Sequence, residues 1–403
     1  MNQRLLLRAT GPVRPGQLAV LSQVLNDNGV QLLDIDQRVT LGQAILEALI
    51  ECDETAPTMA PRLHAAWQEV GQKTGLALSV HDIEQTTHDA YPSPGLVMTV
   101  MASHLPRDLL IQMDRLASEW GMVIERVQRL SGPSSFIESA PAEGVCLEYL
   151  LHGEMVDVEA LRQALLAFAT QQGIDIALQQ DSPWRHQRRL ICFDMDSTLI
   201  KAEVIDELAR RHGVYEAVAA ITERAMRGEI DFQQSFRERM AMLDGLSESV
   251  LEEVADSLEL MDGLERLMTN LKRLGYRTAI LSGGFTYFAH YLQKRLGFDE
   301  VHANELVIEN GMVNGEVHLP IVDAERKAML LGEIAERHGI LPEQVVAVGD
   351  GANDLKMLAA AGLGVAFHAK PLVREKARVS LSVLGLDAIL YLLGHNARAL
   401  LPG

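Results

Sequence analysis

Two aspartates separated by one residue follow a short apolar run near the middle of the chain. The run LICF occupies residues 190–193, and Asp194 and Asp196 come directly after it. If the chain turns where a strand ends, both carboxylates point into the same crevice. One of them can then attack an electrophilic phosphorus while the other moves protons. The competing interpretation is that the segment DMDST at 194–198 is a helix N-cap or a turn.

Three further motifs follow in the order that phosphoryl chemistry requires. One strand-like run ends in Ser282 and Gly283, Lys327 begins a helical segment, and a second run ends in GDGAND at 349–354. Hydrolysis of a phosphomonoester needs a nucleophile, a proton donor and positive charge around the phosphoryl oxygens. Each motif alone is weak, because a helical lysine is usually a solvated surface residue. Because all of these motifs occur together and in this order, the sequence favours a phosphoryl-transfer site.

The charge balance narrows the classes of partner. The chain has 403 residues and a net charge of -19, with 48% hydrophobic and 23% charged residues. Nucleic acids and anionic membranes bind clustered lysine and arginine, so neither is an expected partner. An acidic protein that handles a phosphorylated substrate needs local positive charge, which a divalent metal and a few placed basic residues supply.

Cysteine usage and the N-terminus predict a cytoplasmic protein. Cys52, Cys146 and Cys192 are odd in number, far apart and set in apolar surroundings, which is typical of reduced core residues. The sequence MNQRLLLRAT lacks the apolar core of a signal peptide, and the apolar stretch at 357–367 is too short to span a bilayer.

The first half of the chain repeats one order of elements. Strand-like and helix-like periodicities predict the order βαββαβ over residues 4–80 and again over 95–180. We interpret this as a duplicated ferredoxin-like module. Segments rich in proline, glycine and charge, HDAYPSPG at 88–95 and DSPWRHQRR at 181–189, predict linkers. The predicted domains are 1–88, 93–182 and 186–403.

The remaining sequence predicts an α/β domain. Apolar runs at RLICFDMD, RTAILSGG, VVAVGD and LGVAF alternate with helical segments, which indicates a doubly wound, Rossmann-like parallel sheet. Residues from about 203 to 262 interrupt the alternation with several helical stretches. A helical cap inserted after the first strand would lie over the carboxyl ends of the strands, where such sheets bind ligands.

The ordered set of motifs resembles the haloacid dehalogenase (HAD) superfamily, and within it the phosphoserine phosphatase family, over residues 188–395. The resemblance implies that Asp194 is the phosphorylated nucleophile and Asp196 the general acid and base. It implies that Mg²⁺ is held by Asp194, the backbone carbonyl of Asp196 and Asp350. Oxygen ligands of this kind are those that Mg²⁺ prefers. Asp354 would then orient metal-bound waters or the lysine.

The same resemblance assigns the substrate contacts. Ser282 and the amide of Gly283 would bind phosphoryl oxygens, with Lys327 neutralising charge and Asn353 beside the substrate. In the cap, Glu203 would hold an ammonium and Arg239 a carboxylate, since a guanidinium matches a carboxylate in bidentate geometry. Arg237 competes with Arg239 for this role. Apolar pocket positions match Met226 and Phe232, for which packing within the cap is an equal alternative.

The N-terminal repeats resemble ACT domains, which often bind amino acids and form dimers. The first repeat keeps Gly11 before its helix but has Val13 where an acidic residue often lies. The resemblance therefore implies a homodimer, with an amino-acid effector and simple dimerisation as alternative roles for the repeats.

The expected activity is Mg²⁺-dependent hydrolysis of O-phospho-L-serine, the last step of serine biosynthesis. One alternative retains the chemistry but changes the substrate or the acceptor, as in a phosphatase or phosphotransferase for another small phosphomonoester. Another alternative is an amino-acid-responsive regulatory protein. The complete acidic set, Asp194, Asp196 and Asp350 with Lys327, argues against the latter.

Overall fold

The chain folds into two compact units, Met1–Pro92 and Ser93–Gly403. A computed structural model describes residues 3–40, 42–52, 59–82, 95–104, 106–132, 144–153 and 157–402. The linker predicted at 88–95 lies almost entirely outside the described residues.

The first unit contains one βαββαβ module, as the sequence predicts. Its four antiparallel strands have the order β2-β3-β1-β4. The elements are β1 Gln3–Pro12, α1 Gln17–Asp27, β2 Gln31–Thr40, β3 Gln43–Cys52, α2 Met59–Thr74 and β4 Ala77–Asp82. In β1, Leu5, Leu7 and Ala9 are buried while Arg8 is exposed, so the period of two places one face of the sheet against the helices.

The second unit begins with another module of the same order. Its strands have the matching order β6-β7-β5-β8. The elements are β5 Leu96–Ala102, α3 Leu109–Glu119, β6 Met122–Arg129, β7 Val145–Gly153, α4 Val158–Gln172 and β8 Asp175–Gln180. Helix α4 starts at an aspartate cap, because Asp157 accepts hydrogen bonds from the amides of Glu159 and Ala160.

Both faces of this second sheet are covered along β5, β7 and β8, while β6 at its edge is largely exposed. Every residue of β5 is buried. One face packs on α3 and α4, while Met101, Cys146 and Ala177 from the other face join the apolar core of the following α/β domain. Full burial explains why β5 is a continuous apolar run, LVMTVMA, rather than an alternating one.

The α/β domain opens with a short strand and a helical insertion. Strand β9 spans Leu190–Phe193, and the insertion contains α5 Val204–His212, α6 Tyr215–Met226, α7 Phe232–Ala241 and α8 Ser249–Ser257. These four helices match the helical cap that the sequence predicts after the first strand.

The rest of the domain completes a parallel sheet of six strands in the order β11-β10-β9-β14-β15-β16. The elements are α9 Leu264–Arg273, β10 Arg277–Phe285, α10 Thr286–Leu296, β11 Glu300–Asn304, β12 Leu306–Glu309, β13 Met312–Val317, α11 Ala324–Arg337, β14 Val345–Gly349, α12 Leu355–Ala360, β15 Leu363–Phe367, α13 Pro371–Lys376, β16 Val379–Leu381 and α14 Ile389–Leu392. Side chains of β9 alternate between two cores: Ile191 and Phe193 lie on one face, and Leu190 and Cys192 on the other.

The hairpin β12–β13 is an element that the sequence reading missed. It joins the cap rather than the main sheet, since the amide of Gly245 donates to the carbonyl of Val313 at 2.8 Å and that of Glu248 donates to Gly311 at 2.9 Å. Asn310 and Gly311, with φ of 52° and 76°, form its turn. An Asn-Gly pair between short strands is a strong hairpin signal, so the sequence does contain a pattern that predicts this hairpin.

Among the described residues, no helix combines the length and the apolar composition needed to cross a bilayer.

Candidate active site

The chain turns sharply after β9, and the turn aims the first two aspartates. The amide of Asp194 donates to the carbonyl of Val348 at 2.9 Å, which holds it at the end of the sheet. The carbonyl of Met195 then accepts from the amide of Leu199 at 2.8 Å, and Ser197 has a φ of 55°. Asp194 and Asp196 consequently line the same cavity, as the sequence predicted.

That cavity, of about 530 Å³, lies between the carboxyl end of the sheet and the cap. Its volume is within the range of small-molecule sites. Residues from the core and from the cap both contribute to its walls: Asp194, Asp196, Gly283, Gly284, Phe285 and Asp350–Asn353 with Lys370 from the core, and Glu203–Asp206, Thr222, Ala225, Met226, Ile230, Phe232, Ser235, Phe236 and Arg239 from the cap.

A buried ammonium connects two of the aspartates. Lys327 donates from Nζ to Asp194 Oδ1 at 2.7 Å and to Asp354 Oδ1 at 2.8 Å. Burial alone would lower the pKa of Lys327, but the two carboxylates outweigh it and raise that pKa. Lys327 is therefore charged, and it fixes the position of the Asp194 carboxylate.

Three carboxylates form a cluster at the end of the sheet. Oxygens of Asp194, Asp350 and Asp354 all lie within 4.8 Å of one another. Thr198 donates from its hydroxyl to Asp350 Oδ1 at 3.3 Å, and the amide of Gly351 donates to Asp354 Oδ2 at 3.0 Å. Hard oxygen ligands with one balancing ammonium fit a divalent cation of the Mg²⁺ type.

Burial and mutual repulsion raise the pKa values of Asp194 and Asp350. Burial, followed by the charge of Asp354, raises the pKa of Asp194 to about 8 even though Lys327 opposes the shift. Burial and Asp354 also raise the pKa of Asp350 to about 6. A cation bound here would remove the repulsion, so these groups exchange protons for metal.

Asp196 lies apart from the three-carboxylate cluster. Its Oδ1 accepts from the amide of Val204 at 3.1 Å, at the start of α5. Burial, then Glu203 and Asp194, raises the pKa of Asp196 well above its ordinary value. A carboxyl with a raised pKa holds its proton more firmly, which suits it to serving as a general acid.

Gly283 and Gly284 form the wall beside Asp196, and Ser282 precedes them without lining the cavity. Ser282 is fully buried, and its Oγ accepts from the amide of Gly284 at 2.9 Å. A β-carbon at Gly284 would collide with Asp196 Oδ2, so glycine is required there. Asn304 braces the segment from behind: it donates to the carbonyl of Gly283 and accepts from the amide of Val322, both at 2.8 Å.

The cap supplies charged groups to the wall of the cavity. Glu203 accepts from the Ser197 hydroxyl at 2.8 Å. Arg239 is partly buried and lines the cavity, whereas Arg237 is exposed and does not. Burial lowers the pKa of Arg239, while Glu203, Asp206 and Asp196 act in the opposite direction. Of the two competing arginines, only Arg239 faces the acidic groups of the site.

The two apolar residues predicted for the pocket differ in their surroundings. Met226 lines the cavity with 73% of its surface exposed, so packing within the cap does not account for it. Phe232 is partly buried and stacks on Phe236, with ring centroids 6.1 Å apart. Phe232 therefore combines both roles that the sequence left open.

Comparison with known proteins places these features in a family. Residues 188–362 match the haloacid dehalogenase-like hydrolase family, and residues 3–81 match the ACT domain family. The chain is 39% identical over 391 residues to "Phosphoserine phosphatase SerB2" of Mycobacterium tuberculosis, covering 96% of this chain and 92% of that protein. The chain belongs to the phosphoserine phosphatase family.

Other relatives match to a similar extent. The protein named "Phosphoserine phosphatase" in Streptomyces coelicolor is 39% identical over 402 residues, covering 97% of this chain and 92% of that protein. A solved structure of a "probable phosphoserine phosphatase" from Vibrio cholerae superposes with a TM-score of 0.60 at 33% identity, covering 79% of this chain and 92% of that one. A HAD family hydrolase from Salmonella enterica serovar Typhi reaches 0.64 at 30% identity, covering 74% and 98% of the two chains.

Several residues of the site were not predicted from the sequence. Asp206 and Lys370 line the cavity, and Thr198 contacts Asp350. Asp206 follows Glu203 by three positions at the start of a helix, so the same-face spacing could have identified it. No comparable signal marks Lys370.

Proposed function

We propose that this protein hydrolyses O-phospho-L-serine to L-serine and phosphate through an aspartyl phosphate on Asp194. The observation that carries the proposal is that one cavity is lined both by Asp194 and Asp196 from the core and by Glu203 and Arg239 from the cap. The names of the full-length relatives support the same substrate.

The reaction takes two displacements at phosphorus. The Asp194 carboxylate attacks, so that an Asp194–phosphorus bond forms while the bond to the serine oxygen breaks. Asp196 transfers its proton to the departing serine alkoxide. Asp196, now ionised, removes a proton from water, the resulting hydroxide attacks phosphorus, and Asp194 leaves as a free carboxylate together with phosphate.

Positive charge for the phosphoryl oxygens comes from Lys327 and from a metal. We infer that Asp194, Asp350 and the backbone carbonyl of Asp196 hold Mg²⁺, with Asp354 behind them. The ion would supply charge stabilisation to the phosphoryl oxygens. Lys327, already 2.7 Å from Asp194 Oδ1, favours the ionised form of the nucleophile and so opposes the effect of burial. Ser282, the amide of Gly283 and Asn353 are proposed to hydrogen-bond the phosphoryl group.

The cap selects the amino-acid part of the substrate. Arg239 is proposed to bind the carboxylate and Glu203 the ammonium, while Met226 and Phe232 cover the carbon skeleton. Fixing both charged groups places the serine oxygen against Asp196, and orientation of this kind contributes greatly to rate.

The test is phosphate release from a panel of phosphomonoesters. With Mg²⁺ present we expect the highest kcat/KM for phosphoserine, and no turnover by Asp194→Asn. Detection of alkyl phosphates formed when alcohols are added measures transfer of the phosphoryl group to acceptors other than water. Full turnover by Asp194→Asn would eliminate the proposed nucleophile, and equal rates for phosphoserine and simple alkyl phosphates would eliminate the proposed selectivity.

The N-terminal unit is proposed to have a regulatory or assembly role. Its ACT-domain match supports binding of an amino-acid effector, formation of a homodimer, or both. A concavity of about 180 Å³ lies beside Val13, Arg14 and Gln17. For the whole protein, we propose that it carries out the last step of serine biosynthesis and that it does so in the cytoplasm. Sedimentation with and without free serine tests the effector and the dimer together.

A further inference from the structure

A second cleft, of about 430 Å³, lies far along the sheet from the catalytic aspartates. Four of its lining residues, Arg188, Glu343, Gly362 and Arg378, lie within two residues of the starts of β9, β14, β15 and β16. The strands are parallel, so these positions share the amino edge of the sheet. The catalytic residues follow the carboxyl ends, and the two cavities share no lining residue.

The opposite wall of the cleft comes from the second ferredoxin-like module and the segment after it. Helix α4 contributes Glu159 and Arg162, the end of β8 contributes Gln179, and Trp184 follows. Arg162 crosses to the other wall, donating to the carbonyls of Ala377 at 2.9 Å and Glu375 at 3.1 Å. The cleft is therefore a junction between two parts of one compact unit.

Arginine dominates the charge of the cleft. Its lining contains three arginines, Arg162, Arg188 and Arg378, against the glutamates Glu159 and Glu343. Only Arg162 is paired, with Glu159 at 2.5 Å. A local excess of positive charge is unusual in a chain with a net charge of -19.

The two remaining arginines lack carboxylate partners within the described part of the chain. Arg188 donates to the carbonyls of Glu343 and Gly362, and its buried Nε has no acceptor. Arg378 is exposed and makes no hydrogen bond or ion pair there. Burial, and next the charge of Arg378, lowers the pKa of Arg188 to about 10. An anion between them would relieve this repulsion.

We propose that this arginine cleft binds a small oxyanion, a phosphate or carboxylate group, between Arg188 and Arg378. The exposed guanidinium fork of Arg378 suits planar carboxylates and phosphates in bidentate geometry, and Arg188, held by its two carbonyl acceptors, adds positive charge. The indole of Trp184 offers an apolar surface for the rest of a small ligand. The site is separate from the proposed phosphatase site, so either can fail without the other.

Fluorine NMR of the full chain labelled with 5-fluorotryptophan tests the proposal. The chain has three tryptophans, and Trp184→Phe assigns the resonance of the one in the cleft. Inorganic phosphate and succinate are titrated separately, in EDTA and at constant ionic strength. We expect at least one of them to shift the Trp184 resonance saturably, and which one does so identifies the group that is bound.

Two charge reversals complete the experiment. Arg378→Glu should weaken that binding at least tenfold, whereas Arg115→Glu, an exposed arginine on α3 outside the cleft, should leave it unchanged. Release of phosphate from phosphoserine by both variants shows that their fold is intact. No saturable shift with either anion, or the same affinity in Arg378→Glu, would overturn the proposal.

Discussion

Lys327 and Asp194 form an ion pair of 2.7 Å in which the lysine side chain is 1% exposed and the aspartate side chain 7%. Removing one partner of a buried pair leaves the other charge uncompensated, which costs about 3–5 kcal/mol. For Lys327→Met we expect a loss of unfolding free energy of about this size and at least a hundredfold loss of phosphate release. Urea denaturation and a turnover assay measure the two effects.

The matched control is Lys356→Met, which breaks a solvent-exposed pair with Glu325 on the neighbouring helices. Exposed pairs contribute little. Equal destabilisation by both substitutions would contradict the role assigned to Lys327.

Metal removal should expose a pH dependence. The folded-state pKa values of Asp350, about 6, and Asp194, about 8, both lie above the ordinary 3.8. A carboxyl whose pKa is higher in the folded than in the unfolded protein contributes its full stabilisation at a pH below the unfolded-state pKa. That stabilisation is lost as the pH rises through the folded-state pKa. In EDTA, the Tm should therefore fall between about pH 5 and pH 8. Saturating Mg²⁺ should raise Tm more at the higher pH, where protons no longer compete. Thermal unfolding at both pH values measures this, and an equal Mg²⁺ effect at both would refute it.

Asn304 should be important although it lines no part of the cavity. Asn304→Ala leaves the carbonyl of Gly283 and the amide of Val322 without their side-chain partner. Each unsatisfied buried group costs about 1–3 kcal/mol. We expect a clear drop in urea stability and in kcat. Asn314→Ala, which removes a turn bond to Glu316, is the control and should change kcat little.

Arg239 and Arg237 provide a paired test of substrate recognition. Arg239→Lys keeps the charge but loses the bidentate geometry, so KM for phosphoserine should rise roughly tenfold or more. Arg237→Lys, outside the cavity, should have no such effect. With p-nitrophenyl phosphate, which has no carboxylate, the two variants should behave alike. A similar KM change for both substrates would show that Arg239 does not read the carboxylate.

Met226 separates a pocket role from a packing role. Because it is 73% exposed, Met226→Ala should change unfolding free energy by less than about 0.5 kcal/mol. A change in KM without a change in stability would support its place over the substrate. A large loss of stability would contradict it.

Much of the fold follows from local patterns in the sequence. Period-two strands and amphipathic helices predict both βαββαβ modules, and buried apolar runs predict the strands that carry Asp194, Ser282 and Asp350. Strand β11 reads EVHAN, which is not an apolar run, and β16 has only three residues, so neither shows a recognisable pattern. Such strands are defined by pairing with a sheet that the rest of the chain has already formed.

Some residues of the site could likewise be predicted from the sequence, and others could not. Asp194, Asp196 and Asp350 belong to compact motifs at strand ends, so their convergence follows from the topology of a parallel sheet. The contact of Thr198 with Asp350 joins residues 152 positions apart, and Asn304 belongs to no motif. Contacts of this kind depend on side-chain packing in three dimensions, which no local pattern encodes.

The hairpin β12–β13 means that the cap is not one continuous insertion. The cap contains residues 204–257 and also residues 306–317, which follow after the chain has formed strands β10 and β11 of the main sheet. Any chimaera that exchanges caps between relatives must therefore transplant both segments together. A swap of the first segment alone would set new residues at positions 245 and 248 against a hairpin selected for a different partner.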